Sequence, residues 1–472
     1  MGYVRTAALA AFALPGLFAS GAMAAQDDTG QLSRGAYLAT AADCAACHTN
    51  PNGGAPFAGG YAIASPMGNI VATNITPSKE YGIGSWSEEE FARAIREGVT
   101  PNGTHLYPAM PYPSYAKLTD EDVSAIYDYL MTEVEPVDAG LTEKTELPFP
   151  FNVRALMAGW NLLFTDAPGW TPPEGLDASE ERGAYLVQAL EHCSTCHTPR
   201  GPLMNSQQSA FLGGASLGSW RAPNITPDAQ TGIGDWSKDE IVTYLRDGHA
   251  PGRASAAGPM AEAVEYSLSH LEGDDLGAIA AYLKTVPAVS TPEDGVAPDA
   301  QVHEVALTSY ETTDWTGNPD DLARHDTTEG AALYNGACAA CHGVDGKGAS
   351  DGHFPDLTTA ASVTGQDPSN LVMTIAEGIS RHDANGYTVM PAFADDLDNA
   401  QIAGLTNYVA ANFGGREPGL DADGVAQIRA GGSAPWLIQN AAWLTWVGIA
   451  AALIILLAVV ALIWRRKAQP AG

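Results

Sequence analysis

The chain has 472 residues, enough for about three domains of ordinary size. Its 55 acidic and 23 basic residues give a formal charge of −32 at pH 7, which argues against nucleic acid as a partner, because phosphates attract a basic surface. The same charge argues against adhesion to anionic lipid by charge alone. Hydrophobic residues make up 45% of the chain, which excludes wholesale disorder. The acidity indicates either a solvated surface or a face that attracts a basic partner.

Residues 1–24 have the pattern of a secretory signal peptide. Arg5 supplies a positive charge, and the apolar run from Ala7 to Ala19 is too short to span a bilayer. The small residues Ala22 and Ala24 fit the rule for signal cleavage, so we expect the mature chain to begin after Ala24. The alternative is an uncleaved N-terminal anchor. Either segment directs the rest of the chain out of the cytoplasm.

Three Cys-x-x-Cys-His motifs use all six cysteines of the chain. Two thiols at this spacing can add to the two vinyl groups of a haem, and the adjacent histidine then ligates the iron. Zinc would require a fourth ligand at each site, a catalytic dithiol would lie in a thioredoxin-like pattern, and disulfides would leave the three histidines unexplained. The sequence therefore predicts three covalently bound haem c groups, attached through Cys44, Cys47, Cys193, Cys196, Cys338 and Cys341 and ligated by His48, His197 and His342.

The sixth iron ligand is expected between each haem motif and the last helix of its domain. A methionine there raises the reduction potential and closes the iron to small ligands. The candidates are Met110, Met260 and Met390, of which the first and third precede a proline. Other methionines, at positions 67, 204 and 373, lie too near a haem motif or within a helical pattern. The remaining histidines, including those at 105, 249, 353 and 382, are expected to be surface or hydrogen-bonding residues.

The first two domains repeat one another. Arg-Gly-Ala-Tyr-Leu occurs at 34–38 and 182–186, and Asn-Ile-Thr-Pro occurs at 74–77 and 224–227. A third shared block, Gly-Ile-Gly-x-Trp-Ser, lies at 82–87 and 232–237. The third domain keeps Gly330 and Tyr334 but lacks the last two blocks. The Asn-Ile-Thr loops and Trp86 and Trp236 are candidates for hydrogen bonds to haem propionates, with loop packing as the alternative.

Each domain is predicted to begin and end with a helix. Apolar residues recur at helical spacing near 123–130, 276–283 and 402–409. Each of these final helices carries a tyrosine, which we expect to pack on the small glycine of the first helix where the two helices cross. The predicted fold class is mainly α, with three tandem class I cytochrome c domains and a C-terminal transmembrane helix. The predicted domains are 30–135, 178–287 and 326–413, with linkers 136–177 and 288–325 and a tether 414–442.

Residues 443–464 form an uncharged run of 22 residues. At 1.5 Å per residue a helix of this length spans about 33 Å, enough to cross the hydrocarbon core of a bilayer. Three cations follow, and the positive-inside rule keeps them in the cytoplasm. A buried core helix is the alternative. The prediction is therefore a protein of the bacterial inner membrane, held by one C-terminal helix, with its haem domains in the periplasm.

The segment from Leu147 to Trp170, called here the apolar linker segment, is unusually hydrophobic for a connection. Its large side chains include Phe149, Phe151, Trp160 and Phe164. An apolar patch of this size is expected to be covered. The alternatives are packing against the chain's own domains, and docking onto a partner subunit or the membrane surface.

The whole arrangement resembles the triheme cytochrome c subunits of membrane-bound periplasmic dehydrogenases that oxidise alcohols, gluconate, fructose or sorbitol. The marks of the resemblance are the motif at 34–38, Asn-Ile-Thr-Pro at 74–77, Tyr-Pro-Ala-Met-Pro-Tyr-Pro-Ser at 107–114 and Cys-His-Thr-Pro-Arg-Gly at 196–201. The resemblance implies a subunit that relays electrons from a flavoprotein or quinoprotein dehydrogenase subunit to membrane ubiquinone. The alternatives are a module that donates electrons to a terminal oxidase or reductase, and a haem enzyme of the peroxidase kind. No nucleotide-phosphate loop or Ser-His-Asp signature is evident, so substrate oxidation is expected on another chain.

Overall fold

The computed structural model describes residues 32–295, 328–349 and 354–468, with side chains described as far as Trp464. The predicted signal peptide, His353 and most of the second predicted linker lie outside the described residues. The described part is mainly helical, and its strands form short antiparallel pairs. The predicted fold class is confirmed.

The first domain is built around two helices that cross, α1 and α5. Ser33 caps the start of α1 and Thr119 caps the start of α5, each by accepting a hydrogen bond from a backbone N–H of the first turn. Gly98, with φ of 65°, ends α3 in the left-handed conformation. The elements of the domain are α1 (Arg34–Ala41), α2 (Cys44–His48), β1 (Ala62–Ile63), β2 (Ile70–Val71), α3 (Glu88–Glu97), α4 (Tyr112–Tyr115) and α5 (Asp120–Thr132).

The first predicted linker contains a further helix, α6 (Leu156–Phe164), which lies within the apolar linker segment. The second domain then repeats the plan of the first, and Asp177 and Ser237 form capping boxes at the starts of its first and third helices. The first helix is extended by a π-helical turn, Leu186–Leu190. The elements are α7 (Ala178–Tyr185), α8 (Ser194–His197), β3 (Ala215–Leu217), β4 (Trp220–Ala222), α9 (Lys238–Asp247), β5 (His249–Ala250), β6 (Ala254–Ser255), α10 (Pro259–Tyr266) and α11 (Gly273–Leu283).

The third domain differs from the first two by a longer hairpin. Strands β7 and β8 pair over five residues each, from Ile379 opposite Met390 to Asp383 opposite Gly386. The segment predicted as a tether begins by packing on this domain, because α17 buries Val425 completely. The elements are α12 (Gly330–Ala337), α13 (Ala339–His342), α14 (Ala361–Thr364), α15 (Ser369–Glu377), β7 (Ile379–Asp383), β8 (Gly386–Met390), α16 (Asn399–Gly414) and α17 (Ala422–Arg429).

The chain continues through a single turn of helix, α18 (Trp436–Gln439), into the long helix α19 (Ala441–Ala468). Residues Ala441–Trp464 of α19 are the candidate membrane span within the described part of the chain, by length and composition. None of that span is buried against the rest of the protein. This exposure argues against the alternative of a buried core helix.

The first and last helices of each domain cross at a glycine, as predicted. A β-carbon placed on Gly35 would lie 2.7 Å from Cβ of Tyr129, and one placed on Gly183 would lie 2.8 Å from Cβ of Tyr282. The third domain repeats this with Gly330, where the distance to Cβ of Tyr408 would be 2.5 Å. These distances are shorter than van der Waals contact, so glycine is required for the helices to approach this closely.

The first two domains share one hydrophobic core, whereas the third domain has its own. Where the first two domains meet, a tyrosine on the first helix of each domain donates its hydroxyl to an aspartate on the final helix of the other. Tyr37 of the first domain donates a hydrogen bond to Asp275 of the second at 2.7 Å, and Tyr185 of the second donates one to Asp122 of the first. Each aspartate also pairs with an arginine of its own domain, Arg34 with Asp122 and Arg182 with Asp275. The interface is therefore pseudo-twofold, as the sequence repeat would produce.

The third domain docks on the second through Arg381, which is 1% exposed. Its guanidinium group donates hydrogen bonds to the carbonyl oxygens of Ala256 and Asp247, at 2.9 and 3.2 Å, and forms an ion pair with Asp383 at 3.3 Å. Strand β7 thereby lies against α10 of the second domain. Arg381 is buried and bonds the second domain through both terminal nitrogens, so it fixes the hairpin that carries Met390 relative to that domain.

Candidate haem sites

The three motif histidines are held in the same way. Nδ1–H of His48 donates to the carbonyl of Thr73 at 2.6 Å, and that of His197 donates to the carbonyl of Pro223 at 2.7 Å. His342 does the same toward Pro355 at 3.3 Å. A hydrogen bond at Nδ1 fixes the tautomer and leaves Nε2 with its lone pair free. Each imidazole is therefore prepared to ligate iron through Nε2.

The backbone around each histidine also repeats. The carbonyl of His48 accepts from the N–H of Gly59, that of His197 from Gly214 and that of His342 from Gly348. All three glycines have positive φ. A β-carbon on any of them would collide with the backbone segment whose carbonyl accepts the hydrogen bond from Nδ1 of the motif histidine. These glycines and carbonyls were missed in the sequence analysis. They lie 11, 17 and 6 residues beyond their histidines, so no fixed spacing in the sequence marks them.

Burial of the motifs sets the chemistry of their side chains. Burial lowers the pKa of His48, His197 and His342, although the hydrogen bond to a backbone carbonyl opposes it, so the imidazoles are neutral as iron ligation requires. Burial raises the pKa of the Cys44 and Cys47 thiols to about 12 and that of Cys338 to about 11. A catalytic dithiol needs the opposite shift, which argues against that reading. All six cysteines are free of disulfides.

The predicted methionine ligands lie on three different local structures. Met110 is in a turn directly before α4, Met260 is the second residue of α10, and Met390 ends strand β8. All three are half-buried, and Met110 and Met260 pack against the shared core of the first two domains. The turn of Met110 is tied to the first haem motif through Tyr115, whose hydroxyl donates to the carbonyl of Ala42. Of the competitors, Met373 is buried in the core of the third domain.

The two Asn-Ile-Thr loops are satisfied within the protein. Oδ1 of Asn74 accepts from both the backbone N–H and the hydroxyl of Thr76, and Nδ2 of Asn74 donates to the carbonyl of Val137 at 2.9 Å. Asn224 and Thr226 repeat these bonds, with Val289 in the place of Val137. The loops therefore fasten the chain that leaves each final helix. This result favours loop packing over the propionate contact for these side chains.

Helix α10 of the second domain lies where the three sites approach each other. Besides carrying Met260, it contacts α2, the haem-attachment helix of the first domain. The carboxylate of Glu262 accepts from the hydroxyl of Tyr61 in the first domain at 3.1 Å. On its next turn, Glu265 pairs with Nδ1 of His382 in the third domain at 3.1 Å. One short helix thus joins the second site to both of its neighbours.

Carboxyl groups line the junction between the first two motifs. Burial raises the pKa of Asp43 well above its ordinary value and that of Glu191 to about 8. Burial also raises the pKa of Glu262, against the hydrogen bond from Tyr61, which lowers it. Glu191 is 8% exposed and accepts a hydrogen bond from the hydroxyl of Ser267 at 3.0 Å. Burial thus disfavours negative charge between the two sites, although the chain as a whole is strongly acidic.

The described geometry defines a multidomain c-type cytochrome, and comparison with known proteins gives the family. The sequence profile of cytochrome c matches three segments, 32–133, 180–287 and 327–412, which together are more than half of the chain. The chain belongs to the cytochrome c family and carries three covalently bound haem c groups. The match covers the third domain as well, although that domain lacks two of the repeated sequence blocks.

Known relatives match the chain over most of their length. The chain is 47% identical to the fructose dehydrogenase cytochrome subunit of Gluconobacter japonicus, over 85% of this chain and 83% of that one. It is 38% identical to the gluconate 2-dehydrogenase cytochrome c subunit of Pantoea cypripedii, over 84% and 89%. It is 36% identical to the cytochrome c subunit of the quinone alcohol dehydrogenase of Gluconobacter oxydans, over 90% and 89%. The resemblance inferred from the motifs is confirmed, and the chain is an electron-transfer cytochrome.

Proposed function

We propose that this chain is the electron-transfer subunit of a dehydrogenase complex. It takes electrons from a flavoprotein or quinoprotein subunit that oxidises an alcohol, sugar or aldonate, and delivers them to ubiquinone in the membrane. The observation that carries the proposal is the threefold repeat of one histidine geometry on domains in direct contact. The names of the relatives, all cytochrome subunits of dehydrogenases, support the choice of partner.

The roles of the site residues follow from their chemistry. The thiols of each Cys-x-x-Cys pair hold one haem by thioether bonds, and the adjacent histidine, fixed at Nδ1, ligates the iron through Nε2. Met110, Met260 and Met390 would each supply the second protein ligand to one iron. Haem bound in this way supplies an iron that gains and loses single electrons without binding substrate. An iron held by both a histidine and a methionine would have no open position for a small ligand, which favours electron transfer over a peroxidase reaction.

The membrane attachment belongs to the same proposal. Helix α19 crosses the inner membrane, its cationic end stays in the cytoplasm, and the haem domains lie in the periplasm. The exposed Trp443, Trp446 and Trp464 lie near the two ends of the span, where indole rings favour the interface. Delivery of electrons to a lipid-soluble quinone requires this proximity to the bilayer.

Purification of the native protein from membranes in mild detergent tests the proposal. We expect a flavin- or quinone-containing dehydrogenase subunit to co-purify, and its substrate to reduce three low-spin haems. A protein that purifies with a terminal oxidase, or that shows a high-spin haem reactive toward peroxide, would contradict the proposal. Reoxidation of the reduced complex by a soluble ubiquinone analogue tests the acceptor separately.

A methionine series tests the ligand assignment. Met110→Ala should convert one haem of three to a form without the methionine ligand, lowering its reduction potential and opening it to external ligands. Met67→Ala, a change of the same size in the same domain, is the control and should leave the haem spectrum unchanged. The same comparison applies to Met260→Ala and Met390→Ala. An unchanged spectrum in Met110→Ala would refute the assignment.

A further inference from the structure

The apolar linker segment is only half covered by the protein. Its helix α6 leaves Leu162 86% exposed, Leu163 69% exposed and Leu156 57% exposed. Leu203, in the loop that follows the second haem motif, is 55% exposed beside it. These side chains are among the most exposed large apolar residues outside α19. A solvated patch of this kind marks an interaction surface.

The other side of the segment is fixed to the first two domains by specific hydrogen bonds. Nε1 of Trp160 donates to the carbonyl of Leu203 at 2.9 Å, and Asn161 accepts from the hydroxyl of Tyr112 at 2.7 Å. The hydroxyl of Tyr107 donates to the carbonyl of Phe151 at 2.7 Å. Tyr107 and Tyr112 flank the candidate ligand Met110. The exposed leucines are therefore held rigidly beside the methionine turn of the first site.

The segment also touches the membrane helix. The ring of Phe149 stacks on the indole of Trp446, with centroids 5.4 Å apart and an interplanar angle of 29°. Trp446 lies in the second turn of α19, at the end of the span that is connected to the third domain, and is itself 62% exposed. The beginning of the segment thus contacts the helix by which the chain is proposed to enter the bilayer.

The charge of the segment also fits a lipid surface. Between Leu147 and Trp170 the charged residues are Arg154 and Asp166. Arg154 is engaged by the protein, because its guanidinium group lies over the ring of Tyr107 and donates to the carbonyl of His105. The rest of the chain is strongly acidic, so binding to a bilayer here depends on apolar contact rather than on cationic side chains.

We propose that the exposed face of α6 lies in the interfacial layer of the same bilayer that α19 crosses. The chain then contacts the membrane at two places, and the second contact holds the methionine turn of the first site toward the lipid. This inference rests on the proposed membrane anchor, because the stack of Phe149 on Trp446 sets the depth of the segment.

Spin labelling of the full-length, haem-loaded chain in phosphatidylcholine vesicles tests this inference. All six native cysteines are proposed to be consumed by haem, so an introduced cysteine is the only free thiol. One nitroxide is placed at Leu162→Cys, one at Leu456→Cys in α19 as the lipid reference, and one at Val344→Cys, an exposed apolar position in the third domain, as the control. Accessibility to oxygen, which partitions into lipid, is compared with accessibility to a water-soluble nickel chelate, each relative to the same labelled chain without either reagent.

We expect the ratio of oxygen to nickel accessibility at Leu162 to exceed that at Val344 several-fold and to approach that at Leu456. A Leu162 label reached mainly by the chelate, while the Leu456 label reports lipid, overturns the inference and leaves the anchor standing. Shielding of the Leu162 label from both reagents indicates a protein contact and also overturns it. A Leu456 label reached by the chelate overturns the anchor, and the inference with it.

Discussion

Replacement of Gly183 by alanine tests whether the helix crossing determines the fold of the second domain. In the structure, a β-carbon on Gly183 would lie 1.9 Å from the carbonyl oxygen of Ala278 and 2.8 Å from Cβ of Tyr282. Both neighbours belong to α11, and the nearer one is backbone, which cannot rotate away. Ordinary van der Waals contact begins near 3.4 Å, so α7 and α11 would have to separate by about 1.5 Å.

The size of the effect follows from two opposing contributions. Overpacking of a filled interface costs about 1–3 kcal/mol or more, whereas alanine gains about 0.5–1 kcal/mol over glycine within a helix. We therefore expect Gly183→Ala to lose about 2 kcal/mol of unfolding free energy. The first two domains share one core, and for a unit of this size such a loss lowers the melting temperature by roughly 4–8 °C.

The matched control is Gly277→Ala in α11, where a β-carbon would meet nothing within 4 Å. This variant should be as stable as the parent or more stable by up to about 1 kcal/mol. Thermal unfolding of the haem-loaded chain, followed by circular dichroism in detergent, measures both variants. Equal stability of Gly183→Ala and Gly277→Ala would refute the argument that the crossing requires glycine.

Three further variants test the contacts between the sites. Burial raises the pKa of Asp275, but the hydrogen bonds from Arg182 and Tyr37 lower it by more, so the net pKa lies below its ordinary value. The stabilisation by the ionised carboxylate is therefore present above about pH 4 and is lost as the pH falls. Asp275→Asn should cost about 1–3 kcal/mol of unfolding free energy at pH 7 and should weaken the loss of stability at acid pH measured by denaturant unfolding. Glu191, with a pKa of about 8, binds a proton in the folded but not the unfolded chain between its ordinary value of 4.5 and about 8. Stability should fall as the pH rises through that window, and Glu191→Gln should match the parent near pH 4.5 and exceed it at pH 8 by roughly 1–4 kcal/mol. Arg381→Met should cost about 3–5 kcal/mol by leaving a buried carboxylate and two carbonyls unpaired, and limited proteolysis should then cleave the hairpin of the third domain first.

Local chemistry made much of the site predictable from sequence. The Cys-x-x-Cys-His motif specifies its own spacing, and the capped, apolar-periodic helices around it follow from residues close in sequence. The crossing of Gly35 with Tyr129 was also predictable, because a glycine opposite a tyrosine recurs in every domain. The haem count and the family are confirmed, whereas the methionine ligands stay predictions that the spectroscopic series will test.

Contacts between residues far apart in sequence could not be predicted. Nothing local to Tyr37 indicates that its hydroxyl reaches Asp275 in another domain, and nothing local to Arg381 indicates its burial. For the apolar linker segment, one side of α6 packs on the chain's own domains, as the first alternative holds. The other side is exposed, and its docking onto a partner or the membrane stays a prediction. The predicted tether also includes a helix, α17, that buries Val425. This helix could not be predicted, because one apolar side chain in a polar stretch gives no periodic signal.

The two interfaces of the second domain have different physical origins. The first two domains repeat one sequence, so each carries the same tyrosine on its first helix and the same aspartate on its last. Each tyrosine can therefore bond the aspartate of the other domain across the pseudo-twofold axis. The third domain lacks the repeated blocks, and its contact with the second is made by other groups. Arg381 donates to two carbonyls of the second domain, and Asn370 exchanges hydrogen bonds with the backbone of Arg221. The contact between the first two domains therefore follows from the sequence repeat, whereas the contact between the second and third depends on side chains particular to the third domain.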